Sequence, residues 1–289
     1  MQFPKIHLSK EILDIILNQL KKDKQNKNVF RYIDQFQKKI TDYYLSILNK
    51  LPDYTKMEPF YKLMSQNIVP YTTMEKYKNH YLATIKIINK ISENYKNKCK
   101  NERDFSKRDK LKKEFLGRIT SVIKKLDSTN KKLIECSQEF KRIPNPKKLF
   151  TIVIVGLPNT GKTTLLTKIT DANPEINSYA FTTKALNFGY FKKRQEIIQV
   201  IDTPGLIHKE FKEMNTIEKQ AIVAIKTIAN IIIFVYDEYQ DIQTQKEMLE
   251  KIKEENQNKQ ILVYSKTGKQ ILDEPHITIE QILNKQFKC

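Results

Sequence analysis

Cysteine is scarce in this chain of 289 residues: Cys99, Cys136 and Cys289 stand far apart and form no CxxC pair. That spacing excludes a disulfide framework and a cysteine zinc site, and free thiols in a reducing compartment are expected. Long hydrophobic runs are also missing. No stretch reaches the ~18 apolar residues of a membrane-spanning helix, and the N-terminus lacks the apolar centre of a secretory signal. A soluble intracellular protein with no membrane partner is therefore expected. Acidic residues are heavily outnumbered in one half only. Up to Phe150 there are 34 Lys and Arg against 16 Asp and Glu, a net +18, whereas the remainder is close to neutral at +1.

A basic half beside a neutral half implies that the first meets a polyanion through a salt-sensitive electrostatic term, and RNA is the expected polyanion. The alternative is a compositional bias towards lysine, asparagine and isoleucine, with the lysines merely solvating helices. Bias alone would not spare the second half.

From Leu8 to about Arg142 apolar residues recur at helical spacing, as in Ile12, Ile15, Ile16 and Leu20, then Ile33, Phe36, Ile40, Tyr44 and Ile47. An all-α helical bundle follows, with breaks at Leu51-Pro52-Asp53 and Val69-Pro70. Asp104 is placed to cap one long final helix carrying Phe115, Ile119, Ile123, Leu126 and Leu133. Ile143-Pro144-Asn145-Pro146 stops that helix, because proline lacks the amide donor and restricts its predecessor. The boundary is set there, giving a basic bundle over residues 1–145 and a second domain over 146–289. The second domain has short β-branched runs at Leu149 to Val155, Ile197 to Ile201, Ile231 to Val235 and Ile261 to Tyr264. They predict an α/β fold with a mostly parallel sheet flanked by helices.

Gly156-Leu157-Pro158-Asn159-Thr160-Gly161-Lys162-Thr163 fits GxxxxGK[ST] and lies after an apolar strand and before a helix marked by Leu165-Leu166, with Thr164 also expected at the nucleotide. The glycines let backbone amides turn onto phosphate oxygens, Lys162 reaches the β- and γ-phosphates, and the Thr163 hydroxyl ligates Mg²⁺. Downstream, Asp202-Thr203-Pro204-Gly205 ends a strand with an acid and a glycine, the arrangement that holds Mg²⁺ through Asp202 and offers the Gly205 amide to a γ-phosphate. Between the two lies Phe181-Thr182-Thr183-Lys184, and of its threonines Thr183 is the preferred third Mg²⁺ ligand.

Tyr179-Ala180-Phe181-Thr182-Thr183-Lys184, followed by Asn187-Phe188-Gly189, resembles the first switch of Obg-related GTPases. Glu213-Met214-Asn215-Thr216-Ile217-Glu218-Lys219-Gln220-Ala221-Ile222 is similar to a segment peculiar to the nucleolar GTP-binding (NOG) branch, although its spacing alone suits an ordinary amphipathic helix. The resemblance extends upstream through Phe115-Leu116-Gly117-Arg118-Ile119 and Glu58-Pro59-Phe60-Tyr61, and so covers most of the chain. It implies a helical domain joined to a P-loop G domain that binds GTP or GDP with Mg²⁺, turns over slowly and serves assembly of the large ribosomal subunit, with the basic bundle on rRNA. A monomeric, short archaeal-type member is expected, cytoplasmic, or nucleolar in a eukaryote.

Three positions depart from that pattern. Guanine specificity usually rests on NKxD, but here Ser265-Lys266-Thr267-Gly268 keeps the lysine and loses the aspartate. Only 21 residues follow Gly268, too few for the usual helix, strand and helix, so an abbreviated base pocket is expected. Leu206 stands where Ras-like enzymes place a water-orienting glutamine. Asn159 is placed like the asparagine that binds K⁺ in some related GTPases, and His208 reads as a solvated loop residue. A GTPase switch is therefore weighed against a ribosome-binding structural factor with a degenerate nucleotide site, and against an adenine-nucleotide enzyme.

Overall fold

The computed structural model describes residues 3–21, 28–170, 186–205, 214, 216–269, 274 and 276–284. Among them, helices α1 (Ser9–Lys21), α2 (Val29–Leu48), α3 (Pro59–Ile68), α4 (Tyr71–Asn101), α5 (Phe105–Lys124) and α6 (Asp127–Lys141) precede the first strand. Then follow β1 (Phe150–Val155), α7 (Lys162–Ile169), β2 (Asn187–Lys193), β3 (Glu196–Asp202), α8 (Thr216–Thr227), β4 (Ile231–Tyr236), α9 (Ile242–Glu255), β5 (Gln260–Ser265) and α10 (Ile279–Asn284). Two compact units result: residues 1–56 with 68–143, and residues 57–67 with 144–289.

The first unit is helical, and each helix buries one apolar stripe. Ile12 and Ile16 of α1, Ile33, Phe36, Ile40 and Tyr44 of α2, Tyr81 and Ile88 of α4, and Phe115 and Ile119 of α5 are all buried. The long final helix expected from Asp104 onward is in fact two helices. Lys125 N–H bonds to Val122 C=O and Leu126 N–H to Ile123 C=O, closing α5 in a tighter turn, and α6 begins at Asp127. No glycine or proline marks the break. Its cause is tertiary: the Asp127 carboxylate accepts hydrogen bonds from the Ser9 backbone N–H (2.7 Å) and hydroxyl (2.6 Å), capping the start of α1 from 118 residues away. Asn130 adds two bonds, accepting from the Tyr81 hydroxyl at 2.5 Å and donating to the His7 carbonyl at 3.0 Å.

The second unit carries a five-stranded sheet in the order β2-β3-β1-β4-β5. β1, β3, β4 and β5 run parallel and β2 pairs antiparallel with β3. Parallel strands require cover on both faces, and the residues follow that rule. Ile152, Ile154, Val200, Ile233, Val235 and Leu262 share a core with Leu165, Leu166 and Ile169 of α7 and Ile282 of α10. Alternate strand residues Val153, Val155, Ile201, Ile232 and Phe234 point to the other face and are equally buried, as are Ala221, Ala224, Met248 and Leu249 of α8 and α9. Beyond β5 the described residues hold one parallel bridge, Val263 to His276, and the short α10. β1 lies between β3 and β4, where chain order reverses, so the carboxyl ends of these strands frame the position at which open α/β sheets bind ligands.

Candidate nucleotide site

β1 runs out at Val155 and the chain turns back over Gly156 to Gly161 before α7 begins at Lys162. Gly156 holds φ 151°, and a Cβ there would lie 2.3 Å from the Val235 carbonyl oxygen, so the turn is pressed against β4. Asn159 is exposed in the left-handed region at φ 63°, and Gly161 has φ 92° with open space around it. The Thr160 hydroxyl folds back to the Leu157 carbonyl at 3.0 Å, and Gln240 donates to the Pro158 carbonyl at 3.0 Å. The first intrahelical bond of α7 runs from Leu165 N–H to Gly161 C=O, which leaves the amides of Lys162, Thr163 and Thr164 at the helix mouth.

Two charges face this turn. Lys162 is only 6% exposed and donates from Nζ to the Leu157 carbonyl at 2.6 Å, occupying with its ammonium the loop that its backbone encloses. Burial lowers its pKa, opposed by the charge of Asp202. Asp202 ends β3 in register with Ile154 of β1 and is 3% exposed. Its Oδ2 accepts from the Thr163 hydroxyl at 2.7 Å and from Asn187 Nδ2 at 3.1 Å. Its Oδ1 is buried without a hydrogen-bond partner among the described residues. Burial raises the Asp202 pKa, opposed by those two hydrogen bonds and by Lys162.

A hard cation fits this donor set, since an orphaned carboxylate oxygen beside a hydroxyl is what Mg²⁺ takes when phosphate and water complete its octahedron. Gly205 sits tightly here: a Cβ would meet Pro158 N and Cα at 2.5 Å, so only glycine lets its amide approach the loop. Thr203 lies underneath, its hydroxyl bonded to the Ile154 carbonyl at 2.8 Å.

The expected first-switch residues Phe181, Thr182 and Thr183 lie outside the described residues, as do Leu206 and His208. The structure therefore brings together Lys162, Thr163, Asp202 and Gly205. Asn187 enters the sequence reading only within the Asn187-Phe188-Gly189 resemblance, and its bond to Asp202 is not foreseen there, because an asparagine opening an edge strand carries no distinctive spacing for that contact. Gln240 was equally unmarked. At the base end, Ser265 is buried, and its hydroxyl pairs with Thr267 Oγ1 at 3.0 Å. Lys266 is exposed. Gly268 has φ 73°, and none of the described residues lies within 4 Å of a Cβ built there. The Tyr236 hydroxyl at the end of β4 donates to the Lys269 carbonyl and meets His276 Nε2 at 3.0 Å, tying the turn after β5 to the bridge residue.

The charge on Asp202 leads to a sign-definite prediction. Its folded pKa lies above the ordinary 3.8, so the cost of ionising it is absent below that value and grows as pH rises through the folded pKa. At neutral pH Asp202→Asn is expected to leave the nucleotide-free protein as stable or more stable in urea titration. The same change is expected to weaken Mg²⁺-dependent triphosphate binding by ~10- to 100-fold. A variant destabilised without ligand, or one that keeps its Mg²⁺ dependence, would assign Asp202 a structural role instead.

Residues 151–266 match the 50S ribosome-binding GTPase family, and residues 2–145 match the NOG1 N-terminal helical domain. An uncharacterized protein of Methanocaldococcus jannaschii is 36% identical over 198 residues, which cover 68% of this chain and 55% of that one. Nucleolar GTP-binding protein 1 of Eremothecium gossypii is 28% identical over 284 residues, covering 90% of this chain and 43% of its own length. The protein of the same name from Candida glabrata is 31% identical over 210 residues, covering 70% and 31%. This chain thus spans about half, or less, of the length of these curated relatives.

Proposed function

The chain belongs to the nucleolar GTP-binding (NOG) family, and on that premise we propose that it is a Mg²⁺-dependent guanine-nucleotide switch acting in assembly of the large ribosomal subunit. The observation that carries the reading is the Thr163–Asp202 pair at the mouth of α7, with the second carboxylate oxygen of Asp202 buried and unpartnered. On triphosphate binding, Lys162 exchanges the Leu157 carbonyl for β- and γ-phosphate oxygens, and the amides at the start of α7 turn onto the same group. Bound Mg²⁺ supplies charge neutralisation between the phosphates. Thr163, Asp202 and, outside the described residues, Thr183 would hold it, and the Gly205 amide would read the γ-phosphate. Ordering of both switch segments around that phosphate, and their release on hydrolysis, make the two states.

Turnover is slow in this reading, because Leu206 cannot orient water and an assembly particle must complete the site. Asn159, exposed on the loop, is the residue that would hold K⁺, and equal turnover in KCl and NaCl would remove that role. The basic helical unit holds the chain on rRNA through phosphates, giving placement rather than sequence reading. The chain acts as a monomer, in the cytoplasm or, in a eukaryote, the nucleolus.

One observation favours the second reading, a ribosome-binding structural factor with a degenerate nucleotide site. Gly268 supplies no carboxylate, and the nearby hydroxyls of Ser265 and Thr267 are spent on each other. Calorimetric titration with GTP, GDP and ATP in Mg²⁺ separates the readings. The switch reading expects a guanine preference of about tenfold or more, roughly 1.4 kcal/mol. Equal affinity for ATP and GTP would move the conclusion to the structural factor or to an adenine-nucleotide protein.

A further inference from the structure

We propose that the end of the helical unit formed by the start of α2, the end of α4 and the start of α5 is an RNA-docking face. There Phe105 stacks an unpaired base while neighbouring lysines and arginines hold the adjoining phosphates. This inference rests on the reading of the basic unit as the part that meets RNA, and names the face and the class of RNA.

Ring–cation pairs converge at this end. Lys100 Nζ lies 5.4 Å from the Phe30 ring centre and Lys112 Nζ 3.8 Å from that of Tyr32. Lys98 Nζ at 5.0 Å and Arg118 Cζ at 5.9 Å share the Tyr95 ring, and Arg108 Cζ lies 5.8 Å from Phe105. The rings join α2, α4 and α5 into one body, because Phe115 meets both Phe36 (5.6 Å) and Tyr95 (5.8 Å), and Phe36 meets Tyr32 (6.3 Å). The cations are therefore seated on a rigid aromatic floor rather than waving from a solvated helix.

Charge and exposure identify the occupant. Residues 95–118 carry ten Lys and Arg against four Asp and Glu. Two of those acids are engaged by backbone amides: Glu102 Oε1 accepts from Asp104 N–H, and Asp104 Oδ1 caps α5 by accepting from Ser106 N–H. The remaining field favours phosphate. Phe105 is the first residue of α5 and is 81% exposed, an unusual place for a phenyl ring. Arg108 is held beside it, its Nε donating to the Glu102 carbonyl at 2.7 Å. A free ring next to a fixed guanidinium plane is a platform for a base that has left its helix, since A-form duplexes hide their base faces and single strands offer them. An anionic bilayer suits the face less well, because Tyr32 and Tyr95 are buried beneath their cations and Phe30 is half-buried, which leaves Phe105 as the one fully exposed ring described there.

The test is fluorescence anisotropy of the full chain with a labelled, unstructured RNA of ~12 nucleotides, a duplex RNA of the same length, and phosphatidylserine vesicles. Phe105→Ala is expected to weaken single-strand binding about fivefold or more and to leave duplex binding unchanged, with Phe105→Trp restoring it. Lys98→Gln and Lys112→Gln should each flatten the dependence of log affinity on log salt by about 0.7. An indifferent Phe105→Ala, an equal loss on duplex RNA, or a loss confined to vesicles would each overturn the docking face. If RNA binding persists in those cases, the broader reading of the basic unit stands. If the wild-type chain binds neither RNA, both fall together.

Discussion

Lys162→Ala is expected to weaken triphosphate binding by about 30-fold or more while leaving the nucleotide-free protein no less stable. The ammonium is buried and, among the described residues, bonded to the Leu157 carbonyl. Its burial lowers its pKa, so the cost of keeping the charge is present below the lowered value and is relieved as pH rises through the window between that value and the ordinary 10.5. Alanine removes that cost. With nucleotide the balance reverses, because a desolvated ammonium on phosphate oxygens is a charge-assisted contact, and truncating one partner of such a pair costs about 2–5 kcal/mol. At 1.4 kcal/mol per tenfold, that is roughly 30-fold to beyond 1000-fold in affinity. Calorimetric titration with GTP gives the first quantity and a thermal melt without nucleotide gives the second. A variant that binds as well as wild type would remove the phosphate site from the account. One that melts lower without ligand would make Lys162 a structural residue.

Four of the five strands were legible because a parallel strand buried on both faces reads as an unbroken β-branched run, as in Ile231-Ile232-Ile233-Phe234-Val235. β2 was not. Asn187–Lys193 is an edge strand with polar ends, and its hairpin partner is reached through a turn in which Arg194, not glycine or asparagine, takes φ 54°. The division of α5 from α6 was hidden for a different reason, since Ser9 and Asp127 are neighbours only in the folded bundle. The grouping of residues 57–67 with the sheet unit is of the same kind. Tyr61 donates to Asn145 Oδ1 at 2.5 Å and Glu58 pairs with Lys148, contacts across more than 80 residues of sequence. In the site, the GxxxxGK[ST] spacing located the loop, and DTPG located the acid. The pairing of Asp202 with Asn187, and the fact that one carboxylate oxygen is left unsatisfied, depend on three-dimensional placement that no spacing encodes.

Gly156→Ala should be the most damaging single-methyl change in the sheet unit, costing about 3 kcal/mol or more of stability. Two effects combine. The backbone holds φ 151°, a region open to glycine and strained by ~1–3 kcal/mol for residues with a Cβ. The new carbon would also lie 2.3 Å from the Val235 carbonyl oxygen and 3.1 Å from Thr160 Oγ1. Val235 is fully buried in β4, whose neighbour Phe234 is in register with Val155, so neither side of the clash is a flexible side chain. Relief requires β1 or β4 to shift inside a packed sheet. Gly161→Ala is the control: φ 92° gives a comparable backbone penalty, but a Cβ there meets nothing within 4 Å. Urea denaturation of the two variants beside wild type separates strain from collision. If Gly156→Ala falls well below Gly161→Ala, the loop is held by contact between its first residue and β4, and its geometry before nucleotide arrives is set by the sheet. Equal losses would mean that backbone conformation alone shapes the loop and that β4 exerts no pressure on it.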